Sequence, residues 1–405
     1  MSRRAGLWIA FAVVHIGVAW LGFALPNEPM GDIYHVYEPW SLHALTGAGI
    51  VGITEPWVYP QLALVPMILA HGFDPIAGYI VGWAIVAALV DAAAFAVLVG
   101  RASSRPRVIA GGFWLAFIAA LGPVGLYRLE AVTVALSIIG CLWIVGRPWA
   151  ASLLLAAATW IKVWPAALLA AAVIAARRRA ALIGGAVALT ALTLGGVTLA
   201  GGGTYAFGFV GEQTTRGLQI ESPVATPYVW GTVLHVPGFQ VYYSPELLTY
   251  QVDGPQIGLV VAAMTPLLLT VMAALVAVGI VHVRRGVRFV SLFPPLSLAL
   301  VLGFIVCNKV GSPQYLAWLV PSLVTGLVIA RRRWAAPALL SLVAAVLTQL
   351  VYPVFYDGIL SPAVGPVTIL TLRNLVLIAL FVWMVVRVIR LPAPLRATTP
   401  AVAAP

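Results

Sequence analysis

Most of the 23 basic residues of this 405-residue chain fall into short clusters: Arg3/Arg4, Arg101/Arg105/Arg107, Arg147, Arg177/Arg178/Arg179, Arg284/Arg285/Arg288, Arg331/Arg332/Arg333 and Arg387/Arg390/Arg396. Arg128, Lys162, Arg216 and Lys309 instead stand singly in breaks between apolar runs, and Arg373 lies alone within the last run. A charge at membrane depth is costly and marks function, and its usual partners are carboxylates or phosphate. Arginine offers phosphate a bidentate fork and lysine a compact point charge. Converging on one face, these four cations would suit an anionic lipid head group such as a polyprenyl phosphate. The plainer alternative is that they form structural ion pairs with Glu130, Glu221 or Asp357.

A carboxylate accompanies them. The segment Gly31-Asp-Ile-Tyr-His-Val-Tyr-Glu38 follows the first apolar run. Asp32 there could take a proton from a hydroxyl as its oxygen forms a new bond, and a general base needs little more than hydrogen-bond reach. Glu38 is the second candidate for that role. An Asp after a helix is also a common cap of the next one. His35 reads as structural or substrate-contacting, since no second His stands at metal-ligand spacing and no metal site is expected. Cys141 and Cys307 lie in different apolar runs and make no disulfide framework.

The elements that must position these residues follow from composition. Hydrophobic residues make up 62% of the chain and charged residues 9%, with a mean hydropathy of +1.03. A soluble domain carries about 25% charged residues. In lipid the backbone must satisfy itself, and long continuous runs such as 7–23, 76–99 and 257–281 fit helices rather than alternating barrel strands. The net charge of +11 is then positive-inside topology and not a nucleic-acid surface. Placing every basic cluster in the cytoplasm gives an all-α integral membrane protein of about twelve transmembrane helices.

Both termini are expected inside, the first helix uncleaved, and the molecule multi-pass in the inner (plasma) membrane. Residues 26–75 form one outside loop with two surface helices near 35–46 and 61–71. Residues 107–145 and 149–176 each split into two short crossings, broken at 122–130 and at 162–165. Residues 201–256 form a long outside loop, a possible cover for the site, within a single membrane domain spanning 1–390. The tail 391–405 is expected to be disordered. Every acidic residue except Asp91 falls in a stretch placed outside by the basic residues alone.

Short motifs in a fixed order carry a resemblance. They are Gly31-Asp32-Ile-Tyr34; Tyr59-Pro-Gln-Leu-Ala-Leu64; Arg128-Leu-Glu130; Lys162-Val-Trp-Pro165; Arg216-Gly-Leu-Gln-Ile-Glu-Ser222; and Ser312-Pro-Gln-Tyr-Leu-Ala-Trp-Leu-Val-Pro321. With an Asp on the first outside loop and short broken helices, the chain resembles the GT-C class of glycosyltransferases. More narrowly, it resembles the family-87 mannosyltransferases of actinobacteria, which use polyprenyl-phosphate mannose.

The resemblance implies a periplasm-facing transfer of a hexose, mannose first, to a lipid-linked or glycan acceptor with inversion. Asp32 would be the base, and Lys162, Arg216, Lys309 and Arg128 would hold the donor phosphate. Gln219, Glu221, Gln314 and Tyr315 would contact sugar hydroxyls or order the cavity, with Tyr34 and His35 beside them. It implies no cofactor and no metal, because the donor is lipid-linked. Some relatives carry a His-rich stretch where this chain has Ser312-Pro-Gln-Tyr315, so the acceptor need not be theirs.

The 14 tryptophans read mainly as interfacial anchors, with Trp40, Trp57, Tyr228 and Trp230 as candidates to line a site. Competing readings are a polyprenyl-phosphate arabinose enzyme, a lipid or solute transporter, and an assembly subunit. No repeat relates the two halves, as it does in many transporters, and the charges crowd the outer loops rather than a midplane.

Overall fold

The computed structural model describes residues 2–211 and 216–392. Fourteen helices carry the architecture: α1 Arg3–Ala24, α2 Glu38–Leu45, α3 Leu64–His71, α4 Tyr79–Val99, α5 Arg105–Leu121, α6 Leu129–Trp143, α7 Pro148–Ile161, α8 Ala166–Ala175, α9 Arg179–Leu199, α10 Thr226–Val233, α11 Ile257–Arg284, α12 Phe289–Val306, α13 Val320–Gln349 and α14 Val364–Ile389. Among the described residues, seven helical runs are long and apolar enough to cross a membrane.

The long helix α13 bends at Ala330, whose φ of −147° and ψ of 59° leave the helical region. The bend stands beside the Arg331–Arg333 cluster, and four shorter apolar helical stretches of 10–17 residues accompany the seven long runs among the described residues. In α11 only 11% of the most apolar stretch is fully inside the protein; one side, with Val271, Met272 and Val276, packs on the core. The fold is that of an all-α membrane protein of the GT-C kind.

Two features position the site. First, α6, α7 and α8 have 15, 14 and 10 residues. At a rise of 1.5 Å per residue, α8 is about 15 Å long against a hydrocarbon core of about 30 Å. Helices this short leave their connections below the membrane surface, which is tolerated where protein surrounds them. Lys162, with φ −154° and ψ 135°, ends α7 in extended backbone, and a turn over Val163–Pro165 leads into α8. Gly122, at φ +68°, turns the chain after α5, and a Cβ there would lie 2.5 Å from Gln349 Oε1.

Second, the first outer connection carries α2, entered by a π turn at Ile33–Tyr37, and α3, entered by a 3-10 turn at Gln61–Ala63. Ser41 Oγ lies 2.9 Å from His71 Nε2, and His71 Nδ1 lies 2.6 Å from Asp74 Oδ2. This order of contacts matches a hydrolytic triad, but Ser41 is fully buried and its hydroxyl bonds back to the Tyr37 carbonyl at 2.7 Å. The network pins α2 to α3.

The long segment 201–256 is more structured than the expected loop. It carries α10 and a small antiparallel sheet of β1 Leu218–Gln219, β2 Gln240–Ser244 and β3 Thr249–Asp253 in the order β1-β3-β2, a minor addition to the all-α fold. Leu218, Ile220, Val229 and Val252 pack with Val351, Val367 and Leu370 as a second apolar cluster beside the main core. Tyr228 and Trp230 belong to this packing: Tyr228 donates to the Pro255 carbonyl at 3.2 Å and Trp230 Nε1 to Thr371 Oγ1 at 2.9 Å. Trp230 ties the segment to α14, Tyr228 closes the segment on itself, and both sit in this packing rather than on Lys162. Asp91 on α4, the acidic residue set apart in the sequence, meets His15 of α1 at 3.3 Å in the interior. Nearly all of the expected disordered tail, 393–405, lies outside the described residues, as does Glu212.

Candidate active site

Asp32 does not cap the turn that follows it; no side-chain cap hydrogen bond forms there. Its carboxylate is ion-paired to Arg128, which lies in extended backbone at the start of α6. Two residues on, Glu130 is fully buried and ion-paired to Lys162. Trp318 Nε1 also donates to Glu130, at 3.3 Å. The Lys162 ammonium lies over two aromatic rings, 5.4 Å from the Tyr59 centroid and 5.7 Å from that of Tyr315. Tyr315 stacks on Trp318 at 3.9 Å, and Trp318 stacks on Trp164 at 5.6 Å with planes 6° apart. The breaks at 128–130, 162–165 and 312–318 are thus brought to one place.

The cations gather there. Burial lowers the Lys162 pKa; the Glu130 carboxylate opposes this, and Arg128 and Arg216 push it further down. Burial also lowers Lys309, with Arg216 adding to the effect. Arg216 reaches Tyr59 and Tyr315 electrostatically as well. Three buried polar atoms here have no hydrogen-bond partner among the described residues: Arg128 Nε, Arg216 Nε and Glu130 Oε2. An unpaired buried polar group costs about 1–3 kcal/mol, so the arrangement is suited to receive a polar, anionic group.

The Arg216–Ser222 segment is stitched to the stretch before α13. The Gln219 N–H donates to the Lys309 carbonyl at 3.0 Å, and Gly311 N–H donates to Gln219 Oε1 at 3.2 Å. Gly311 packs so closely that a Cβ would lie 2.5 Å from the Ser222 nitrogen. Gln219 Nε2 donates to Thr249 Oγ1 at 2.7 Å, so both ends of this amide are engaged in ordering the segment. Glu221 is buried and paired to Arg373 of α14 at 3.2 Å, and the same guanidinium takes the Glu221 carbonyl at 3.0 Å. Burial raises the Glu221 carboxyl to about 7 against the pull of Arg373. Glu221 therefore anchors the segment to α14, ordering the cavity.

The other expected site residues have these surroundings. His35 is exposed and meets Glu28 at 3.3 Å. Glu38 opens α2, where its charge bears on Tyr79 rather than on the cluster. Tyr34 bonds to Glu28 and lies near Tyr352. Gln314 is half-buried beside Tyr315.

Sequence reasoning did not single out Tyr59, Trp164, Trp318 and Tyr352. Tyr352 hydrogen-bonds to Arg128 and donates to the Asn27 carbonyl at 2.9 Å, holding the guanidinium from the far side. Three of the four stand in the motifs quoted above; an interfacial aromatic looks the same in sequence as one in a site. Beside Tyr59, the rings of Trp40 and Trp57 complete a triangle with centroid separations of 5.5, 6.0 and 5.7 Å. Trp40 and Trp57 line a cavity of about 400 Å³ with His43 and Glu55, and the buried Trp57 Nε1 has no hydrogen-bond partner among the described residues.

Neither a curated protein nor a solved structure matches the chain. The model of glycosyltransferase family 87 matches residues 57–307, more than half of the sequence. That stretch includes Arg128, Lys162, Arg216, Gln219 and Glu221, while Asp32, Lys309, Gln314 and Tyr315 lie beyond its ends. The extent of the match, on a membrane fold whose broken helices gather these cations, makes the chain a member of glycosyltransferase family 87.

Proposed function

We propose that the protein transfers a hexose, mannose in the first instance, from a polyprenyl-phosphate sugar to a lipid-linked or glycan acceptor. The reaction takes place on the periplasmic side of the inner membrane, with both termini in the cytoplasm, and inverts the anomeric centre. The observation that carries this reading is the convergence of Arg128, Lys162, Arg216 and Lys309 with an Asp32 carboxylate at hand.

The acceptor hydroxyl oxygen attacks the anomeric carbon, and its proton passes to Asp32. The bond from that carbon to the phosphate oxygen breaks, and its electron pair leaves with the polyprenyl phosphate. Lys162, Arg216 and Lys309 meet the negative charge of the leaving group, the kind of preorganised electrostatic stabilisation that lowers such barriers most. Arg128 holds Asp32 and faces the same charge. The half-buried Trp40 ring, beside the buried Trp57, supplies stacking, and His43 and Glu55 supply hydrogen bonds to the acceptor glycan.

The test is transfer from radiolabelled polyprenyl-phosphate mannose to a membrane lipid extract by the purified protein, beside Asp32→Asn. Transfer by the wild type that is lost in a folded, donor-binding variant supports enzyme and base together. Transfer surviving in the variant removes Asp32 from that role. Transfer from an arabinose donor but not a mannose donor replaces the sugar.

A further inference from the structure

The face opposite the site carries a second anion-seeking arrangement. Lys162 precedes α8 and Arg177–Arg179 follow it; Arg288 precedes α12 and Lys309 follows it. Between those far ends lies a cavity of about 890 Å³ with Arg177, Arg178, Arg179 and Arg288 in its lining. The rest of the lining is almost wholly apolar, and no carboxylate is among the described residues that form it.

Two helices begin here. Arg178 is the N-cap of α9 and Arg288 the N-cap of α12; neither caps with its side chain, and neither helix has an acidic residue in its first turn. The first N–H groups of a helix lack intrahelical partners, and the helix dipole adds partial positive charge. Cations at two such ends are unfavourably placed unless an anion joins them. Arg179 is accounted for by the end of α8, donating to the carbonyls of Ala176 at 3.2 Å and Ile174 at 3.1 Å. Arg177, Arg178 and Arg288 form no ion pair among the described residues.

The apolar lining identifies the occupant. Val145 and Val290 are 67% and 50% exposed, at the ends of apolar helices where hydrocarbon meets head groups. A soluble anion would leave these side chains in water, whereas a lipid covers them with an acyl chain. We propose that this cavity binds an acidic phospholipid, its phosphate between Arg178 and Arg288 and one chain along the valine-lined wall. Basic pockets between transmembrane helices recognise head groups through such a combination.

The test uses the full-length protein in neutral detergent, with native mass spectrometry counting retained phosphatidylglycerol against phosphatidylcholine. The wild type is expected to retain one phosphatidylglycerol preferentially. Arg178→Gln with Arg288→Gln is expected to weaken retention about tenfold or more, at about 1 kcal/mol per arginine near the surface. Arg332→Gln with Arg333→Gln removes equal charge from the same face outside the cavity and is expected to change nothing. Equal weakening by both pairs would mean general surface attraction and overturns the proposal. So does displacement of the lipid by inorganic phosphate, which would mark a soluble-anion site, and so does the absence of any preference for phosphatidylglycerol. Thermal unfolding of both variants in the same detergent identifies a misfolded one; should the first pair misfold, Val290→Trp keeps every charge and crowds the wall, and unchanged retention there overturns the proposal.

Discussion

The carboxylate of Asp32 is held by the guanidinium of Arg128, joining the first outer connection to the start of α6. The residue proposed to take the proton and a residue that faces the leaving phosphate are therefore one mechanical unit. Asp32→Asn should lower kcat by about 10²- to 10⁴-fold, the usual range for a general base, with donor KM little changed. Arg128→Gln should lower kcat and also raise donor KM. Steady-state transfer at varied donor concentration separates the two.

Lys162 should impose an alkaline limb on donor binding. Its pKa lies below the ordinary lysine value of 10.5 because of burial, only partly offset by Glu130. As pH rises through that lowered value, the ammonium loses its proton and the phosphate one of its cations. Lys162→Arg, which stays charged, should remove the limb. Donor affinity measured from neutral pH upwards checks this, and an identical limb in both proteins would refute it.

The Glu221–Arg373 pair predicts a non-additive stability pattern. Breaking a buried ion pair by removing one partner costs about 3–5 kcal/mol, whereas replacing both by apolar groups is often neutral. Glu221→Gln and Arg373→Met should each lower the unfolding temperature in detergent, and the Glu221→Leu/Arg373→Met double variant should recover much of the loss.

Gly311→Ala should destabilise by about 1–3 kcal/mol, the cost of overpacking. The new Cβ would press on the Ser222 backbone and separate the Arg216 segment from the Lys309 segment. Sugar transfer should fall more steeply than stability, because those two cations would move apart. Equal losses would mean that the contact serves folding alone.

Trp40→Ala should raise the acceptor KM several-fold and leave donor KM unchanged, since its ring lies in the triangle beyond Tyr59 and not on Lys162. A change in donor KM instead would move the acceptor elsewhere.

Spans, breaks and cations were legible in the sequence because lipid makes its demands through composition. Each described arginine cluster stands at a helix end or at the bend of α13, and each isolated cation except Arg373, which lies within α14, marks an interruption. Partnership was legible only in part: Glu130 and Glu221 stood out as carboxylates a cation could pair with, but not which cation each takes. That Arg128 chooses Asp32, Lys162 chooses Glu130 and Arg373 chooses Glu221 depends on helix packing across long stretches of chain. The short strands of 218–253 were also hidden, since β1 has only two residues and is defined by pairing with β3. Glu38 looked equal to Asp32 as a base; only the fold turns it towards Tyr79, and only the fold buries Glu221 on Arg373.

The brevity of α6, α7 and α8 has a consequence for any lipid-borne reactant. Their connections leave a notch in the slab, so the phosphate can meet Lys162 while the attached hydrocarbon remains among its neighbours. Lifting a chain into water costs about 0.8 kcal/mol for each methylene exposed. A recessed meeting point avoids that cost at every turnover, and it admits reactants sideways from the leaflet rather than from above.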